Sequence, residues 1–132
     1  MRNFQTLDQA TISAETGLIE LNTSETASSM WMRQEGSYIA ISASAGPLEI
    51  ALRLHLAELT RAFARLHPVD GLQITRQVGS GQAYLGVGLL SSGELLLRPT
   101  IIADATGHLS LNLTLTSAVR QTLFDWLAIT KV

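Results

Sequence analysis

Residues 46–66 read GPLEIALRLHLAELTRAFARL, and the rest of the chain assembles around the periodicity assigned to this run. Leu48, Leu52, Leu56, Leu59, Phe63 and Leu66 recur at steps of three and four. At ~100° per residue such steps make one apolar stripe along a helix. Gly46-Pro47 supplies an entry, because the first helical position has no partner for an N–H and suits proline. His67-Pro68 supplies a stop, since the residue before proline is pushed out of the α region. Glu49, Arg53, Glu58, Arg61 and Arg65 fall mostly opposite the stripe. The spacing predicts an amphipathic helix over 48–66. Ile50 and Leu54 disturb it, because they place two large aliphatics four residues apart on the charged side. Either they are ordinary scattered surface apolar residues, or that face meets another chain.

Upstream, residues 11–13 and 18–22 read as two short strands, and 22–29 as a polar loop. Residues 29–34 and 38–44 read as a hairpin across Glu35-Gly36. Ile39, Ile41 and Ala43 share one face of it, and Tyr38, Ala40 and Ser42 the other. After Val69-Asp70-Gly71, Leu72, Ile74 and Val78 belong to a strand that turns at Gly79-Ser80-Gly81. Ala83, Leu85, Val87 and Leu89 line one face of the next, with Tyr84, Gly86 and Gly88 behind them. Residues 94–103 are nearly all apolar and fit a central strand. Pro99 cannot donate to a ladder, so a bulge or an edge position is expected there. Ala105-Thr106-Gly107 turns into a strand with Leu109, Leu111, Leu113 and Leu115 on one face. A last helix follows, capped by Thr116 or Ser117, with Val119, Leu123, Trp126 and Leu127 as its core stripe and Phe124 off it. The pattern is four strands and a helix, twice. It predicts an α+β fold of two ββββα units, in which antiparallel sheet carries two amphipathic helices on one face. At 132 residues a single domain is expected, with pseudo-repeat halves at about 1–68 and 69–132.

Composition narrows the function. Charged residues make up 15% against 46% apolar, where roughly 25% charged is ordinary. So sparse a polar surface favours a protein that covers apolar area with another subunit or partner. Ile50 and Leu54, flanked by Arg53 and Arg61, are the candidate interface. The net charge of −2 and the scattered nine Lys and Arg argue against a strong phosphate-binding surface. With no cysteine, disulfides and thiolate chemistry are excluded, which fits a cytoplasmic protein. Neither a targeting segment nor a membrane span is legible.

Catalytic and cofactor patterns are absent from the reading. The glycine-rich run 79–88 lacks the Gly-Lys-Ser/Thr ending of a phosphate loop and no helix follows it. A hairpin turn, plus small residues where another backbone or a helix packs closely, accounts for it. His55, His67 and His108 have no metal-ligand spacing. Asp104, His108 and Ser110 name the residue types of a triad but sit on one hairpin, with His108 and Ser110 on the same face. No enzyme activity, cofactor or metal is expected. Trp31, Arg33, Tyr38, Arg76, Tyr84 and Arg98 form the one aromatic and cationic set on strands, the chemistry by which sheets hold single-stranded nucleic acid.

The order of strands and helices resembles the Whirly proteins and related single-stranded-DNA-binding folds. That resemblance implies single-stranded nucleic-acid binding. The lysine-bearing strand of that family has no counterpart, since Gly17-Leu18-Ile19-Glu20-Leu21 carries an acid. The run from Tyr38 to Leu66 is also similar to small cyanobacterial proteins of unknown role. The leading expectation is a non-catalytic interaction or assembly module, self-associating or bound to another protein. Single-stranded nucleic-acid binding and small-molecule binding are the alternatives.

Overall fold

A computed structural model describes residues 4–24, 27–104 and 106–129. The fold is α+β, with antiparallel-dominated sheets and two helices. Parts of the expected 22–29 loop and of the 105–107 turn lie outside the described residues.

The run 46–66 divides in two. Its first part is strand β6 (Leu48–His55), which follows β5 (Tyr38–Ala45), and helix α1 is only Leu56–Ala64. The expected helix over 48–66 is therefore corrected. Ile50, Leu52 and Leu54 are buried, while Glu49, Ala51, Arg53 and His55 are exposed, the alternation of a half-buried strand. Gly46-Pro47 is a two-residue hairpin turn, not a helix start, and Gly46 adopts φ +59, a left-handed conformation that glycine takes without steric cost. Ile50 and Leu54 leave the surface for the core, at 3% and 4% exposure. Leu59 and Phe63 carry the remaining stripe on α1.

Five strands form one sheet in the order β2 (Gln9–Ile12), β3 (Ile19–Asn22), β4 (Ser28–Glu35), β5, β6, all antiparallel. The second sheet is centred on β10 (Leu95–Asp104). It is flanked by β9 (Ala83–Leu90) on one side, and by β11 (Gly107–Ser110) and β12 (Leu113–Leu115) on the other. Three short strands complete it. β1 (Gln5–Leu7) runs parallel to β12, β7 (Pro68–Val69) runs parallel to β9, and β8 (Arg76–Gly79) lies antiparallel to β9. β1 is absent from the sequence reading. It ties residues 5–7 to β12, with Leu7 fully buried. One apolar cluster joins both sheets and both helices. α1 lies against β5, β6 and β8, and α2 (Ser117–Trp126) against β2, β3 and β12.

Pro99 is at neither an edge nor the register shift, which falls between Ile102 and Asp104. It pairs with Leu85 inside the sheet, and its carbonyl accepts from the Leu111 N–H at 3.1 Å. A strand residue directs its nitrogen to the same side as its carbonyl. The missing donor thus faces the break between β11 and β12, which also divides the expected 109–115 strand. Thr116 caps α2, its hydroxyl accepting from the Val119 N–H at 3.3 Å. Phe124, read as off the core stripe, is fully buried.

The expected strand over 72–78 shrinks to β8. Residues 72–75 instead cross the outer face of β9, where the Thr75 N–H donates to the Val87 carbonyl at 2.9 Å. Glycine makes this close approach possible. A Cβ on Gly88 would sit 2.1 Å from the Gln73 carbonyl oxygen, and one on Gly86 2.8 Å from Ile74 Cγ2. Leu96, cross-strand partner of Gly88, is fully buried on this same outer face. Gly88→Ala should force the crossing segment away and cost about 1–3 kcal/mol, the usual range for overpacking. Urea unfolding checks it against Gly107→Ala, where a Cβ meets nothing within 4 Å. Equal stability of the two variants would show that the segment is not held on β9.

Candidate binding basin on the seven-stranded sheet

The second sheet has seven strands, and its inner face is set by Leu85, Val87, Leu95 and Leu97. Alternation then turns Tyr84, Arg98, Thr100 and Ile102 outward. The ladders align these residues in rows. Tyr84 pairs with Thr100 and Thr100 with Ser110; Ile102 pairs with His108, and Arg98 with Gly86. The outer face of Gly86 is covered by Ile74, on the side of β10 away from Asn112. Arg98 Nε donates to Asn112 Oδ1 at 2.7 Å, which fixes the guanidinium plane on the sheet. Thr100 is 1% exposed, and its hydroxyl is satisfied by Ser110 Oγ at 2.8 Å and the Arg98 carbonyl at 3.3 Å. Around this floor opens a basin of about 470 Å³, lined among others by Tyr84, Arg98, Ile102, His108, Ser110 and Asn112.

The basin combines a guanidinium, an imidazole, an amide, a hydroxyl and a phenol with two aliphatic side chains, Ile102 and Leu109. Such a set suits a flat ligand bearing an anionic group. It is not arranged as a triad. Ser110 shares its hydroxyl with Thr100. Asp104 accepts from both the Thr106 hydroxyl and the Thr106 N–H at 2.7 Å. Those bonds, the hydroxyl's first, hold the Asp104 carboxyl below the ordinary carboxylate pKa. Among the described residues no group of three His, Asp or Glu side chains could hold a metal ion.

The six residues proposed for nucleic acid do not meet on one surface. Tyr84 and Arg98 are in the basin. Trp31, Arg33 and Tyr38 lie on the outer face of the other sheet, and Arg76 lies beside α1 with Arg61 and Arg65. On that other face two of the arginines share one carboxylate. Arg33 donates to Glu35 through Nη2 at 2.5 Å and Nε at 3.0 Å. Arg53 approaches the Glu35 carboxylate at 3.4 Å and covers the Tyr38 ring at 4.4 Å. His55 contacts the same ring at 4.7 Å between centroids. The hydrogen bond from Arg33, before all other causes, lowers the Glu35 pKa. The residues proposed as an interface are likewise dispersed. Ile50 and Leu54 are core, Arg53 is on the outer face of β6, and Arg61 is on α1.

Sequence reading named Tyr84 and Arg98, and placed His108 and Ser110 on one face. It missed Ile102, Leu109 and Asn112 as basin residues. The alternation of β10 could have supplied Ile102. Asn112 lies in the break between β11 and β12, where alternation gives no guide. Comparison with protein-family models, curated proteins and solved structures finds no match. No described helix is long and apolar enough to cross a membrane.

Proposed function

We propose that the protein is a non-catalytic binding module whose basin takes a small flat molecule carrying a carboxylate. The observation that carries this reading is the convergence of Tyr84, Arg98, Ile102, His108, Ser110 and Asn112 on one depression. Arg98, already oriented by Asn112, meets the carboxylate. His108 and Ser110 supply further donors, and Tyr84 and Ile102 flank the ring. The dispersal of Trp31, Arg33, Tyr38 and Arg76 away from the basin weakens the single-stranded nucleic-acid alternative, since such binding needs a continuous track of stacking and cationic groups.

The test is two-dimensional amide NMR with indole-3-acetate and salicylate as probes at millimolar concentration. Chemical-shift changes should cluster on β9, β10 and β11 around the basin. Arg98→Ala should weaken binding about tenfold or more, the loss of a charge-assisted bond worth roughly 1.5–3 kcal/mol. If neither probe perturbs these amides, or if Arg98→Ala binds unchanged, the reading fails.

A further inference from the structure

The five-stranded sheet ends in an open edge at β6. β6 pairs with β5 on one side, and among the described residues no strand pairs with its other side. The Leu56 N–H, just past the strand, donates to the Ser37 carbonyl at 2.9 Å, so even-numbered residues point their backbone groups toward β5. By alternation, Glu49, Ala51, Arg53 and His55 direct theirs outward, and the same four residues are exposed. An eight-residue edge strand with free donors and acceptors is a template for strand addition.

We infer that β6 pairs antiparallel with β6 of a second copy of this chain, about a two-fold axis at Ala51. In that register Ala51 faces the partner's Ala51, and Glu49 faces the partner's Arg53. Arg53 in turn faces the partner's Glu49. The Ala51–Ala51 and Glu49–Arg53 pairs each exchange both backbone hydrogen bonds. Opposite charges directly across an antiparallel pair are stabilising and like charges are not, so the symmetric placement of Glu49 and Arg53 about Ala51 selects this register. Leu48, 49% exposed, falls opposite the partner's Leu54 and gains apolar cover. Pro47, which has no N–H, falls opposite His55 and ends the ladder at both ends. The dimer joins the two five-stranded sheets edge to edge and leaves the basin on the other sheet untouched, so it stands independently of the proposed ligand.

Light scattering after size exclusion, over about 5–500 μM, should give twice the 14.2 kDa chain mass. Glu49→Arg sets Arg against Arg, Arg53→Glu sets Glu against Glu, and each should raise the dissociation constant at least tenfold. The double variant Glu49→Arg/Arg53→Glu restores opposite charges and should restore the dimer. Ala51→Pro removes the central outward N–H without touching the β5 ladder, since proline is tolerated where the N–H faces solvent. It should give a monomer with unchanged circular dichroism. A monomeric wild type overturns the inference, and so does a dimer that survives Ala51→Pro. Failure of the double variant to recover overturns the register.

Discussion

Ile50→Glu should leave the protein largely unfolded at 25 °C, while Ala51→Gln, one residue away, should change stability by no more than about 0.5 kcal/mol. Ile50 is 3% exposed and pairs across the ladder with Ala43, itself fully buried. Both face the second sheet. Truncating a buried aliphatic costs about 2–5 kcal/mol. A carboxylate in its place adds the desolvation of a charge with no partner, several kcal/mol more. The sum is comparable with the whole stability of an ordinary domain, about 5–15 kcal/mol. Ala51 is exposed on the opposite face of the same strand, so a longer polar side chain there meets water. Far-UV circular dichroism and urea titration of the two variants provide the measurement. A helix over 48–66 makes the opposite demand, because it leaves position 50 on the surface and Ile50→Glu harmless. A well-folded Ile50→Glu variant would remove β6 from the fold.

The same residues explain why this stretch misleads. Leu48, Leu52 and Leu56 are four apart, a spacing that lies on one side of a helix and also on one face of a strand. Only residues midway between them separate the two. Ile50 and Leu54 oppose the stripe in a helix and join it in a strand, so their apparent anomaly was the signal of a period of two. Elsewhere no such overlap arises. The hairpin of β4 and β5, with its Glu35-Gly36 turn, emerges from alternation alone, as do β9 and β10. The glycines of β9 also read as places where another backbone or a helix packs closely, and the Gln73 carbonyl fills that role above Gly88. What sequence withholds is the identity of the approaching segment. Residues 72–75 alternate like a strand, yet Leu72 is 54% exposed and the segment crosses β9 instead of extending it.

The basin was legible only in fragments, for a related reason. Alternation says which residues of one strand share a face, and it placed Tyr84 behind Leu85 and His108 with Ser110. It does not say that Tyr84 lies in one row with Thr100 and Ser110. That row is created by the registers of two ladders. Aromatic and cationic residue types gathered Trp31 with Arg98 in sequence, and sheet order then assigned them to different sheets.

Phe124→Ala should lower unfolding stability by about 3–5 kcal/mol, the larger effect of any truncation on α2. Val119 and Leu123 face the sheets from one side of that helix, and Phe124, roughly 100° around from Leu123, leaves that stripe. It stacks on Phe63 of α1, with ring centroids 5.1 Å apart and planes inclined by 30°, and both rings are fully buried. Each helix follows a different sheet in the chain, so this ring pair couples the two parts of the core through side chains alone. Loss of the ring removes its apolar burial, leaves a cavity, and forfeits an aromatic contact worth about 0.5–1.5 kcal/mol. Because the two rings share that contact, Phe63→Leu and Phe124→Leu should not add. The second substitution should cost less once the first is made, by about 0.5–1.5 kcal/mol in a double-mutant cycle. Urea unfolding of wild type, both single variants and the double variant measures it. Strict additivity would mean that each helix is held by its own sheets and that the stacked pair contributes no coupling. A shortfall of the expected size would make the helix contact a third element of the core, beside the two sheet faces.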